Sequence, residues 1–295
     1  LANGEGPGVE QEADMLIGYN TNGLANHDGL QAIELLSEIG FRAIGITVDH
    51  QLLSPKQPRL LEQRRAVGRV LRENGLRSTI ETGARYLLDP RIKHHPTLLS
   101  ISPADRHRRR DYLSYCLELA AELGSDCLSL WSGAKPAEWS DQQALDTLAD
   151  ELGRVLELAR NLRVEVAFEP EPGMFIDTLA SFARLEQWMH RDELRLTLDV
   201  GHLYCQGEVP LADYIHRWGA AIRNVHIEDM KAGVHEHLMF GEGDIRFPPV
   251  IQALRDVDYQ GGVYIELSRH SHDGPNAARQ AFEFLQPLIA GSGGD

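Results

Sequence analysis

The sequence predicts an α/β fold, a single (β/α)8 barrel with its site at the C-terminal face of the strands, on three observations. Short apolar, β-branched runs alternate with amphipathic stretches eight times along one chain. The helix-to-strand links are short and carry glycine, as in Ile39-Gly40-Phe41, Asn74-Gly75-Leu76, Leu123-Gly124-Ser125 and Gln260-Gly261-Gly262, whereas several strand-to-helix links are long. The length of 295 residues is ordinary for eight such units in one domain. Strict alternation implies a parallel sheet, and eight repeats close most simply into a barrel. A doubly wound open sheet would want a glycine-rich phosphate loop after the first strand, and Asn20-Thr21-Asn22-Gly23-Leu24 is not one.

The elements follow in order. Met15–Tyr19 reads as the first strand and Leu30–Ile39 as its helix, closed by Gly40. Ala43–Val48 is the second strand, followed by a helix over Leu60–Glu73. Ser78–Glu81 is the third, followed by Asp105–Leu123. Cys127–Trp131 is the fourth, followed by Gln142–Leu162. Val164–Phe168 is the fifth, followed by Leu179–Met189. Leu194–Leu198 is the sixth, followed by a short helix over Leu211–Trp218. Ile222–Ile227 is the seventh, followed by Pro248–Val257. Gly262–Ile265 is the eighth, followed by Ala277–Gln286, with Pro287 expected to stop or kink that helix. The barrel is expected over residues 15–290, with loose tails at 1–14 and 291–295. The first tail is Gly-rich and acidic and reads as a tag remnant, not a signal peptide. The long strand-to-helix links, 49–59, 82–104, 132–140 and 228–247, all fall on the C-terminal face, where a barrel carries its site.

Composition narrows the function. With 42% hydrophobic and 25% charged residues, a large packed core is expected. A net charge of −15 repels phosphates, so nucleic acid is not the expected partner. Cys116, Cys127 and Cys205 are odd in number and lack CxxC spacing, which fits a reducing, cytoplasmic setting better than a disulfide framework. No apolar run is long enough for a membrane span. Only four lysines occur, at 56, 93, 135 and 231, none within a predicted strand, so a Schiff-base aldolase is disfavoured. Self-association is left open.

The strand ends carry the chemistry. In order they read Asn20, Asp49 with His50, Glu81, Trp131, Glu169 with Glu171, Asp199 with His202, His226 with Glu228, and Glu266. Each of the last four strands places a carboxylate or an imidazole at the matching position: Glu169, Asp199, His226 and Glu266. Crowded carboxylates repel one another and need a positive centre. A single acidic residue at a strand end is commonly a helix cap or a solvated side chain, but four in register are not explained that way. Three carboxylates and one imidazole suit one divalent metal, with Mn2+ the expected ion and Mg2+, Co2+ or Zn2+ as alternatives. The run Arg106-His107-Arg108-Arg109-Arg110 opens a helix and reads as a solvated face.

The segments Phe168-Glu169-Pro170, Leu198-Asp199-Val200-Gly201-His202, Asn224-Val225-His226-Ile227-Glu228-Asp229, Gly241-Glu242-Gly243 and Ile265-Glu266-Leu267-Ser268 resemble the sugar phosphate isomerase/epimerase superfamily. This is the xylose isomerase-like TIM barrel group, which includes ketohexose 3-epimerases, hydroxypyruvate isomerases and endonuclease IV. The resemblance runs from Met15 to about Leu288, and its specific motifs lie in the second half. It implies that Glu169, Asp199, His226 and Glu266 hold the metal and that Glu169 and Glu266 move the proton. The reaction implied is isomerisation or epimerisation of a sugar or sugar-like hydroxy-ketone through a cis-enediolate. A close variant is dehydration or lysis of a keto-sugar or inosose.

His202, in the motif D-x-G-H, His237, Glu171, Glu81 and Trp131 are expected substrate contacts. His235-Glu236-His237 is similar to the endonuclease IV loop that feeds an additional metal, so His202, His235 and His237 form a candidate second metal site. That reading would make the protein a multi-metal phosphodiesterase. Trp131 stands where endonuclease IV has a metal-binding histidine, with His50 a loose stand-in for its second-strand histidine, and the charge of −15 opposes that reading. The arginine usual after the seventh-strand histidine of single-metal epimerases is absent, and Lys231 is the nearest cation. His237 is preferred as a hydrogen-bond donor to substrate over a metal ligand.

Overall fold

The computed structural model describes residues 15–189 and 193–291. Eight parallel strands close into a barrel: β1 (Leu16–Asn20), β2 (Ala43–Thr47), β3 (Arg77–Glu81), β4 (Leu128–Leu130), β5 (Val166–Phe168), β6 (Leu194–Asp199), β7 (Ile222–Ile227) and β10 (Gly262–Ile265). Their order around the barrel follows the chain, and β10 closes on β1 with Leu16 opposite Gly262 and Tyr19 opposite Ile265. The helices are α1 (Gly29–Ile39), α2 (Leu60–Glu73), α3 (Pro103–Leu123), α4 (Asp141–Leu162), α5 (Leu179–Met189), α6 (Val200–Cys205), α7 (Leu211–Trp218), α8 (Phe247–Asp256) and α9 (Gly274–Ile289). An antiparallel hairpin of β8 (Asp229–Lys231) and β9 (Val234–Leu238) rises from the end of β7.

Local chemistry sets the element ends. Asp28, Ser102 and Ser140 accept backbone N–H groups at the starts of α1, α3 and α4, and Pro103 occupies the first turn of α3, where its missing N–H costs nothing. Gly124 closes α3 in the left-handed region at φ 67°. The expected stop at Pro287 is corrected: α9 runs through it to Ile289. Proline removes one backbone donor there, but it lies in the last turn, where the helix is ending anyway. The linker expected over 228–247 contains the hairpin, and α6 follows β6 without a break. The tail at 1–14 and residues 292–295 lie outside the described residues. The three cysteines are free and buried, and no helix among the described residues is long and apolar enough to cross a membrane.

The main apolar core sits between barrel and helices, where outward residues such as Ile44, Ile46, Phe168, Leu196 and Val225 meet Leu36, Leu113, Leu152 and Phe182. The inward residues are more polar, and they support the site.

Candidate metal and substrate site

Residues two apart in a strand face the same way, so the strands stack a supporting residue under each residue at the mouth. Thr79 lies under Glu81, Ser129 under Trp131, Thr197 under Asp199, and Asn224 under His226. Ser129 Oγ and Thr197 Oγ1 are 3.0 Å apart. Asn224 Nδ2 donates to Glu81 Oε1 at 3.0 Å, and Thr79 Oγ1 donates to the same oxygen at 3.1 Å. All of these groups are buried. Asn224 Oδ1 has no partner, but the hydrogen bonds that are made tie these buried side chains to one another and restrain them.

Above it, His226 Nδ1 lies 3.0 Å from Glu169 Oε1, 3.1 Å from Glu266 Oε2 and 3.9 Å from Asp199 Oδ2. One donor atom from each of Glu169, Asp199, His226 and Glu266 lies within 4.8 Å of the others. The far ring nitrogen, His226 Nε2, is 3.1 Å from Glu81 Oε1. Asn20 and Asn22 donate to the two oxygens of Glu266 at 3.2 and 2.9 Å. Asn20 has room because position 45 is glycine, where a Cβ would overlap its Oδ1. Asp199 Oδ1 accepts the His202 N–H at 2.7 Å, capping α6, while buried Oδ2 has no hydrogen-bond partner.

Burial and the neighbouring imidazoles pull these carboxylates in opposite directions. Burial pushes the Glu169 carboxyl up to about 7 against the pull of His226. Burial also pushes Asp199 up, but His202, His237 and His226 outweigh it and leave that group below its ordinary value.

A second group lies beside the first. His202, at the start of α6, faces His235 and His237 on β9, with ring centroids 4.8 and 5.8 Å away. One nitrogen from each lies within 4.8 Å of the others, and neither ring nitrogen of buried His202 has a hydrogen-bond partner. Burial lowers His202 to about 4. Burial lowers His237 too, but Glu228 outweighs it and raises that imidazole to about 10, with His237 Nδ1 3.8 Å from Glu228 Oε1. Glu228 is wholly buried, in space left by Gly201, whose Cβ would overlap the carboxylate.

Most of these groups border a cavity of about 310 Å³, whereas Asp199, Glu228 and the expected substrate contact His202 are buried and do not line it. Glu81, Trp131, Glu169, Glu171, His226, His235, His237 and Glu266 all line it. Two strand-end assignments need correction. His50 is exposed and does not line the cavity, and Asp49 is spent on a turn, accepting the Gln51 and Leu52 N–H groups. Thr47 takes the cavity position, because β2 ends there, two residues before Asp49. Lys231 is exposed on the hairpin and does not line the cavity.

The basic run is not all solvated. Arg106 and Arg110 pair with buried Glu151, and Arg109 is buried. Its guanidinium donates to the Thr82 carbonyl at 2.8 Å and lies 4.9 Å from the Trp131 ring centroid. Trp131 is thus a fixed wall. Sequence reasoning missed Asn22, Arg85, Lys93, His94 and Arg269 at the cavity. The length of segment 82–104 and its expected position at the mouth were the available signal for Arg85, Lys93 and His94.

The residues present fit a divalent cation. The orphaned Asp199 Oδ2, two further carboxylates and His226 Nδ1 converge, and Glu81 stands behind the imidazole as an outer partner. Oxygen-rich donors with one imidazole suit Mn2+, Mg2+ or Co2+.

Comparison with known proteins agrees with this architecture. The profile of the family described as Xylose isomerase-like TIM barrel matches residues 33–288. An uncharacterized protein of Methanocaldococcus jannaschii is 25% identical over 219 residues, 68% of this chain and 74% of that one. The inosose dehydratase of Lacticaseibacillus casei is 27% identical over 141 residues, 42% of this chain and 47% of the enzyme, so that alignment spans about half the enzyme's length. Among solved structures, a 3-keto-D-glucoside 4-epimerase from E. coli superposes with a TM-score of 0.75 at 20% identity, covering 92% of this chain and 99% of the other. An L-ribulose 3-epimerase does so with a TM-score of 0.74 at 17% identity, covering 94% and 95%. At such identities the structural likeness speaks for the fold alone.

Proposed function

Since the chain belongs to the xylose isomerase-like TIM barrel family, we propose that it is a metal-dependent isomerase or epimerase acting on a sugar or sugar-like hydroxy-ketone by proton transfer. The observation that carries this reading is the convergence of Glu169, Asp199, His226 and Glu266 at the mouth of the barrel. These four would hold one divalent ion, with Mn2+ the expected one. When bound, such an ion supplies Lewis acidity to carbonyl and hydroxyl oxygens of the substrate, which makes the neighbouring C–H acidic.

The chain's own groups do the rest. Glu169 and Glu266 each have a carboxylate oxygen at the cavity and are the acid–base pair, one taking the proton from carbon and the other returning it. Asn20 and Asn22 fix the Glu266 carboxylate by occupying both of its oxygens. Glu81 holds His226 by its far nitrogen, which aims Nδ1 at the other ligands. His237, which lines the cavity and whose ring Glu228 holds in its charged form, is placed to hydrogen-bond a substrate oxygen. Glu171 and Trp131 border the same space, and buried His202 lies behind them with Nε2 3.8 Å from Glu171 Oε2. His202, His235 and His237 remain the candidate second metal site.

The alignment with inosose dehydratases favours a second reading, elimination of water from a keto-sugar or inosose after the same proton abstraction. Metal analysis of purified protein, followed by deuterium uptake from D2O into a panel of ketoses and inososes, tests both. One equivalent of Mn, Co or Mg with exchange and no mass loss is the expected result. Exchange with loss of water selects the dehydratase. Two or three zincs and cleavage of abasic DNA would replace both readings with the phosphodiesterase.

A further inference from the structure

The cavity is charged in two tiers. Its floor is acidic, with Glu81, Glu169 and Glu266 at strand ends. Its rim carries Arg85 and Lys93, from the segment between β3 and α3, and Arg269, four residues beyond β10. Arg269 is held by Glu236 of the hairpin at 2.8 Å. Neither Arg85 nor Lys93 has a carboxylate within ion-pair distance among the described residues. Burial lowers the Lys93 ammonium, and the charges of Arg85 and Arg269 push it the same way, while Glu171 and Glu266 push back.

Cations gathered at one rim repel one another, and an incoming anion relieves that repulsion. The chain as a whole carries −15, so its field turns anions away. A pocket that binds an anion on such a protein needs local cations, and here they stand on the loop face that carries recognition in this fold. Guanidinium and ammonium groups are suited to phosphate and carboxylate oxygens.

We infer that Arg85, Lys93 and Arg269 receive a phosphate or carboxylate group of the substrate, carried at the end remote from the carbons that reach the acidic floor. This rests on the hydroxy-ketone reading above and adds a substrate class to it.

The test is calorimetric binding to the Mn2+-loaded protein of matched ketoses: D-fructose, D-fructose 6-phosphate and D-fructuronate, with D-ribulose and D-ribulose 5-phosphate as a shorter pair. An anionic member is expected to bind about tenfold or more tighter than its neutral parent. That advantage is expected to vanish in the double variant Arg85→Gln/Lys93→Gln and to persist in Lys93→Arg, which keeps the charge. A gain with phosphate alone assigns a phosphorylated substrate, and a gain with carboxylate alone assigns a sugar acid. Neutral and anionic ligands binding equally, or a double variant that keeps the preference, would overturn the inference. Deuterium exchange into a ketose under those outcomes leaves the isomerase reading standing. Absence of both exchange and binding across the panel removes both.

Discussion

The two halves of the barrel mouth differ in kind. Strands β1 to β4 present Asn20, Thr47, Glu81 and Trp131 to the cavity, whereas β5, β7 and β10 present Glu169, His226 and Glu266, with Asp199 of β6 buried beside them. The first half reaches across to brace the second: Asn20 and Asn22 hold Glu266, and Glu81 holds His226. The first half also owns the long segment 82–102, with Arg85 and Lys93 at the rim. In the proposed function, one arc of the closed barrel carries the reacting groups while the other orients them and selects what enters. The sharpest way to break that division is Glu266→Gln, which keeps the shape and removes one member of the proposed acid–base pair. Turnover, followed as deuterium exchange, is expected to fall by roughly 10²–10⁴-fold. A near-normal rate in this variant would end the assignment of chemistry to the second half.

Next in size is a change on the bracing side. Glu81→Gln leaves the four converging groups in place but weakens the acceptor behind His226. Loss of an outer partner is expected to cost about 10–100-fold in metal affinity, read by titrating the ion into metal-free protein. Unchanged affinity, with turnover lowered, would move Glu81 from brace to direct participant.

How much of this could be read from the sequence divides along similar lines. The second-half strand ends were legible because β5, β6, β7 and β10 each bring one ionisable side chain to the mouth at its C-terminal end, so period and position sufficed. The first half was not. Asp49 looked like a strand-end residue facing the mouth, but β2 stops at Thr47 and the carboxylate turns back to cap a loop. Arg109 looked solvated because it stands in a run of charged residues; a helix face is set by what packs against it, and here Trp131 and Tyr112 do. The hairpin was read as a loop because Val234–Leu238 is polar and carries only half-buried or exposed side chains, which an isolated pair of strands permits. Glu228 gave no signal as a buried group, since its space is made by Gly201 on another element.

Arg109 offers a smaller test of the first half as a fixed wall. Arg109→Met keeps the bulk against Trp131 and removes the donor to Thr82. The unpaired carbonyl should cost about 1–3 kcal/mol by chemical denaturation. A looser wall should raise KM while leaving kcat near its normal value, because the acid–base pair is untouched. A fall in kcat alone would show that Trp131 acts on the reacting carbons.

The smallest expected effect separates the quartet from the histidine trio. His235 is about a third exposed on β9, and its nearest carboxylate is Glu171, with His235 Nε2 3.9 Å from Glu171 Oε1. An ion held by three imidazoles there would keep its full charge, whereas the quartet brings three carboxylates to its own. His237, by contrast, has buried Glu228 as a counter-charge, with Nδ1 3.8 Å from its Oε1. His235→Ala should therefore leave one ion per chain, as counted by elemental analysis, and shift stability by no more than about 0.5 kcal/mol. A count that drops from two ions to one in this variant would place metal chemistry on the hairpin, and the division between a reacting arc and a selecting arc would have to be redrawn around it.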